Sequence, residues 1–198
     1  KTDEGTSVYA DALCGDGSSM VTEFIYWSDY YNSIISPFYS YSTGRTKSTV
    51  RSSLTTCRDI DGDGVIEIPK DASNKKQASE ITTQNWVSYG NTVLSHKCYS
   101  LACKRDGYIL VVGDDDFSKI KASYDSEKRK LEFNNKNNNK KAIEIITLIN
   151  SSYSENDPKY EDYSLVMKNS GFVYLAKADS SSGIDINIKK LRDMIKVY

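Results

Sequence analysis

Only one stretch of this chain sets apolar residues at helical spacing: Ile188, Leu191, Met194, Ile195 and Tyr198, at i, i+3, i+6, i+7 and i+10. Elsewhere, short runs rich in Tyr, Thr, Val and Ile are cut apart by Gly, Asn and Asp. A chain punctuated in this way closes its core with hairpins. Fifteen tyrosines, with many Ser and Thr, favour the same outcome. The expected fold class is therefore α+β and β-rich. Hairpins with a calcium loop come first, and an antiparallel sheet closed by a C-terminal helix follows.

The runs place strands near 7–13, 20–27 and 34–41, with Gly15-Asp16-Gly17 turning between the first two. Ile66 to Ile68 reads as a strand stopped by Pro69, and 71–79 reads as a polar loop. Gln84 to Tyr89 and Thr92 to Cys98 pair around Gly90-Asn91. Arg105-Asp106-Gly107 turns into an apolar strand, Tyr108 to Val112. Lys119 to Tyr124 and Arg129 to Phe133 alternate about an Asp125-Ser126 turn, and Asn134 to Lys141 reads as a solvated hairpin loop. Ala142 to Ile149 is a buried strand. Tyr163 to Met167 and Phe172 to Ala176 form a hairpin at Asn169-Ser-Gly171. The final stripe predicts a helix from about 188 to 198, capped by Asn187 or Asp185 and packed on the sheet. A soft boundary near residue 104 separates a hairpin region, 1–104, from a small α+β domain, 105–198. No internal repeat is found.

Charge narrows the partners. The 198 residues carry 26 basic and 27 acidic side chains, for a net charge of -1. Nucleic acid, which calls for a basic face, is not expected, and no polybasic segment suits a membrane surface. No apolar run approaches the roughly 20 residues of a membrane span. The chain opens without Met on a polar stretch, Lys1 to Ser7, so a missing export leader says nothing about compartment.

Cys14, Cys57, Cys98 and Cys103 form an even set. In an oxidising compartment Cys98 and Cys103 are expected to pair. Free buried thiols, or a zinc site using His96, are the other states open to them.

The sharpest chemistry lies in Asp59-Ile-Asp61-Gly-Asp63-Gly-Val65-Ile-Glu67. Calcium takes six to eight oxygens in a flexible cage. Asp59, Asp61 and Asp63 offer carboxylates at positions 1, 3 and 5, Val65 a backbone carbonyl at position 7, and Glu67 a carboxylate at position 9. Gly62 and Gly64 let the chain curl back. Magnesium suits such a loop less well, because it keeps its waters in a rigid octahedron. An EF-hand would carry an acid at position 12, where Lys70 stands, and would be flanked by helices rather than strands.

The nine residues resemble the Asp-x-Asp-Gly-Asp-Gly-x-x-Asp/Glu calcium loop of FG-GAP repeats in integrin-like and bacterial β-propellers. That resemblance implies the ligand set just named. Only one such loop is present, so the resemblance implies a remnant blade, or the last blade of a longer parent protein, rather than a complete propeller. With Val8-Tyr-Ala-Asp11 and Thr22-Glu23, the chain further resembles secreted lipoproteins of Gram-positive bacteria, which implies an extracellular or cell-envelope location and a lipid anchor upstream. The order of elements in 108–198 is similar to the PsbP-like fold.

Other groupings carry less chemistry. Asp114-Asp-Asp116 lacks interleaved glycines and suits the start of a short helical turn. Tyr26, Trp27, Tyr30, Tyr31, Phe38, Tyr39 and Tyr41 can stack on sugars or serve as core, and so can Trp86 and Tyr89. No Gly-x-Ser-x-Gly elbow, papain-like cysteine signature, phosphate loop or dinucleotide fingerprint is present. The expected function is thus a non-enzymatic secreted or cell-surface binding domain with structural calcium and a protein or glycan partner. A glycan-binding module using the Tyr/Trp surface stays open, as does a hydrolase using carboxylates distant in sequence.

Overall fold

The structure, a computed structural model, describes residues 7–15, 17–72, 80–90 and 92–197. The strands are β1 (Ser7–Leu13), β2 (Met20–Ser28), β3 (Ser33–Ile35), β4 (Tyr39–Ser40), β5 (Arg45–Thr46), β6 (Ile68–Asp71), β7 (Ile81–Gly90), β8 (Val93–Cys103) and β9 (Tyr108–Val112). Helix α1 (Asp114–Lys119) follows, then β10 (Ile120–Asp125), β11 (Lys130–Asn135), β12 (Lys141–Ile149), β13 (Ser164–Lys168) and β14 (Phe172–Ala178). The chain closes with α2 (Ile188–Met194) and β15 (Ile195–Val197). The fold is α+β and β-rich, with antiparallel sheets. Among the described residues no helix is long and apolar enough to cross a membrane.

The chain divides into two compact units, Lys1–Asn74 with Gln84–Tyr99, and Lys75–Thr83 with Ser100–Tyr198. The division differs from a single cut near 104. Strands β7 and β8 are long, and each contributes residues to both units, which a reading that cuts at turns cannot register.

In the first unit, β1 and β2 form the expected hairpin, from Ser7 opposite Tyr26 to Leu13 opposite Met20. Strand β3 pairs on the other side of β2. Alternation along β2 buries Met20, Thr22 and Phe24. Phe24 meets Phe38, Ile68, Val87 and Tyr89 in the core, with Tyr9, Tyr26, Cys57 and Leu94 packed around them. Full burial of one such aromatic stabilises the fold by roughly 1.5–3 kcal/mol. The expected strand 34–41 is broken into β3 and β4, with Pro37 between them. Pro69 does not stop a strand. It lies inside β6, opposite Trp86, on the last strand of its sheet, where a missing N–H is tolerated.

In the second unit, five strands run in the order β10-β11-β12-β14-β13. One face buries Leu131, Phe133, Ile143, Ile145, Tyr174 and Ala176. On the other, Ile146, Val173 and Leu175 collect Leu148, Tyr153, Tyr160 and Tyr163. Asn187 caps α2, its side chain accepting from Lys190 N–H at 2.9 Å. Leu191 and Met194 are buried as expected. The helix ends at Met194, however, and Ile195–Val197 turns into a strand pairing with β9, Ile195 opposite Leu110. Ile195 and Val197 are β-branched and two apart, a spacing that puts both on one face of a strand but on opposite sides of a helix. Tyr198 lies outside the described residues.

The stretch 134–141 is more than a solvated loop. Asn135 is buried and donates to Ser182 O at 2.8 Å, and Asn138 donates to the same oxygen at 3.0 Å. The structure carries no Cys98–Cys103 disulfide. Both residues lie on the single strand β8. Five steps of about 3.3 Å carry their Cα atoms far beyond the roughly 7 Å that a disulfide spans.

Candidate metal centre

The 59–67 loop belongs to the first unit and is closed at its stem by Arg58 and Glu67, whose backbones exchange hydrogen bonds of 3.1 and 2.9 Å. Within it the aspartates fold the backbone around themselves. Asp59 accepts from Gly62 N–H at 2.6 Å through Oδ1 and from Gly64 N–H at 2.9 Å through Oδ2. Asp61 Oδ1 accepts from Asp63 N–H, and Asp63 Oδ1 from Val65 N–H. Both glycines sit at φ of 86°, a left-handed backbone that suits glycine. Ile60 is fully buried and pins the loop to the core beneath it.

Three of the expected ligands converge. One carboxylate oxygen from each of Asp59, Asp61 and Glu67 lies within 4.8 Å of the others. Glu67 is the unusual member, because it is completely buried. Its Oε2 accepts from Ile60 N–H at 3.0 Å, while its Oε1 has no hydrogen-bond partner among the described residues. A buried carboxylate oxygen without a partner is costly. Burial pushes the Glu67 carboxyl up to about 7. The charges of Asp61 and Asp63 push the same way, against the Ile60 N–H. A divalent cation would meet the unpartnered oxygen and neutralise the cluster. The donor set, all hard carboxylate oxygens, suits calcium.

Asp63 stands apart from this group. Its Oδ2 lies 2.6 Å from Lys97 Nζ on β8, and the same ammonium is 3.9 Å from Asp61 Oδ2. The hydrogen bond from Lys97 is the main reason the Asp63 carboxyl is held below its ordinary range. The Val65 N–H is committed to Asp63 Oδ1. Nothing in the spacing of 59–67 announced Lys97, which arrives from a strand thirty residues on.

The remaining candidates separate cleanly. Phe38, Trp86 and Tyr89 are core. Trp27, Tyr30, Tyr31 and Tyr41 are exposed, and Trp27 Nε1 donates to Asp29 at 3.0 Å. His96 shares a 2.5 Å hydrogen bond with Asn85 through Nδ1 and packs on Tyr99. Asp114, Asp115 and Asp116 open α1, and Asp116 pairs with Lys190 at 2.9 Å.

The second unit adds features that periodicity could not reveal. Buried Asp106 receives Arg129 Nε at 2.7 Å and the Tyr124 hydroxyl at 2.8 Å. A pocket of about 520 Å³ has Tyr160, Tyr163, Glu127, Lys128 and Lys130 in its lining. Glu132 and Glu144 face one another across β11 and β12, tied together by Lys130 and Lys141. Hydrogen bonds from the two lysines hold the Glu132 carboxyl below its ordinary range, and against its burial Lys141 and Tyr163 hold Glu144 at about 2.

Comparisons with protein-family models, with curated proteins and with solved structures give no significant match for this chain.

Proposed function

We propose that this chain is a non-enzymatic binding domain of the cell surface or extracellular space, in which the 59–67 loop takes calcium as a structural staple. The supporting observation is the buried Glu67 Oε1, which has no partner and stands beside the Asp59 and Asp61 carboxylates. Asp59, Asp61 and Glu67 would hold the ion. Calcium there would neutralise the cluster and brace the strand β6 that leaves the loop. Binding to the native state alone raises stability by an amount set by the ratio of free ion to dissociation constant. Millimolar extracellular calcium suits a site of modest affinity, which connects the loop to the expected location and to a lipid anchor upstream. Thermal unfolding in calcium, in magnesium and in chelator tests the reading. A midpoint higher in calcium than in the other two supports it, and three equal midpoints with no calcium heat in calorimetry defeat it.

The partner is proposed to be a protein or a glycan. The glycan reading draws support from the exposed aromatics of the first unit, with Trp27 53% exposed and carrying Asp29 at its indole edge. A flat ring beside a hydrogen-bond acceptor suits a sugar's apolar face and its hydroxyls. A glycan array comparing the wild type with Trp27→Ala tests it, and loss of every hit in the variant is the expected result.

A further inference from the structure

Lys97 brings a cation to the edge of the acidic loop. Its ammonium lies 2.6 Å from Asp63 Oδ2 and 3.9 Å from Asp61 Oδ2, and it reaches the loop from strand β8. Asp63 is thereby turned onto Lys97, outside the group formed by Asp59, Asp61 and Glu67. In the repeating pattern of acids, however, Asp63 holds the third ligand position. A calcium ion and an ammonium drawn to the same carboxylate repel each other, so each weakens the other's hold on it.

We infer that Lys97 is a built-in competitor for the calcium site: it holds Asp63 in reserve, and calcium binding releases Asp63 from Lys97 to complete the ligand set. The inference rests on the calcium reading and adds to it a residue that sets affinity. In the metal-free loop Lys97 offsets part of the carboxylate repulsion, so the loop keeps its shape without the ion. The cost of displacing Lys97 weakens calcium binding and tunes the site towards calcium-rich surroundings. Asp63 and Lys97 are both partly exposed, with side-chain exposures of 37% and 31%, so the exchange needs no opening of the core.

Two variants and one chemical probe decide the matter, with circular dichroism to verify folding. Calcium calorimetry at fixed ionic strength should find Lys97→Met roughly fivefold tighter than wild type, the scale of an exposed ion pair. Asp63→Asn should bind about tenfold more weakly, as for a lost carboxylate ligand. Reductive methylation followed by mass spectrometry should show Lys97 of the wild type reacting faster with calcium than with chelator. Calcium heat with equal affinities in wild type, Lys97→Met and Asp63→Asn, or calcium-independent labelling of Lys97, would overturn the competitor role and leave the calcium reading standing. No calcium heat in either wild type or Lys97→Met would overturn both.

Discussion

Arg51 Nη2 lies 2.9 Å from Asp11 Oδ1, and the arginine side chain is fully buried. Arg51 also donates to Thr22 Oγ1 at 2.8 Å and to Thr55 O at 2.9 Å. Asp11 Oδ2 accepts from Cys57 N–H at 2.7 Å. Burial opposes ionisation of Asp11, but hydrogen bonds from Thr22, Cys57 and Arg51 outweigh it and hold the carboxyl below its ordinary value. Asp11→Ala leaves a buried guanidinium without its counter-charge, and such a break costs roughly 3–5 kcal/mol. Asp11→Asn keeps the acceptor and should cost less. Urea unfolding of the three proteins gives the order.

Glu67→Gln should separate stability from binding. Without calcium, the neutral amide removes a buried carboxylate that repels Asp61 and Asp63. The variant should then unfold at a higher temperature than wild type in chelator at pH 8. With calcium the order should reverse, because the variant lacks a ligand and gains nothing from the ion. A variant less stable than wild type in chelator would mean that Glu67 serves the fold through contacts other than those seen.

Acid should loosen the face of the five-stranded sheet that carries Glu144 and Ile146. Burial disfavours the Glu144 anion, yet hydrogen bonds from Lys141 and Tyr163, with the charges of Lys141 and Lys130, hold its carboxyl at about 2. Its folded value lies below its unfolded one, so its contribution is complete above about pH 4.5 and fades as pH falls towards 2. Allowing for solvent screening at the half-exposed Lys141, that contribution is about 1–2 kcal/mol. Melting curves between pH 6 and pH 2.5 should show a steeper decline for wild type than for Glu144→Gln.

Alkylation tests the cysteines. Burial, reinforced by Asp11 at Cys57 and by Asp106 at Cys103, pushes both thiols up to about 12. Few thiolates are present at pH 8, so iodoacetamide should label these two slowly in the folded protein. After unfolding without reductant, four labels should appear by mass spectrometry. Two labels would show a disulfide.

The legible part of this fold was the part written locally. The β1–β2 hairpin, β9, the α2 cap at Asn187 and the acid spacing of 59–67 each rest on residues within a few positions of one another. What escaped notice depends on distance in sequence. Lys97 meets Asp63 from thirty-four positions away, and Arg51 meets Asp11 from forty. Ile195 satisfies helical spacing with Ile188 and Leu191, and only the presence of β9 beside it makes a strand the better use of its branched side chain. Cys98 and Cys103 looked close because they are near in number, but an extended strand keeps them apart.

Pro69 has a consequence for how molecules of this protein meet one another. It stands on the terminal strand of its sheet, and its ring nitrogen carries no hydrogen. A strand from a second molecule seeking to lengthen the sheet at β6 would find a donor missing from the ladder, and the rigid ring in the way of close approach. Lying inside β6, Pro69 therefore removes one rung from any ladder that a second molecule would build on this border.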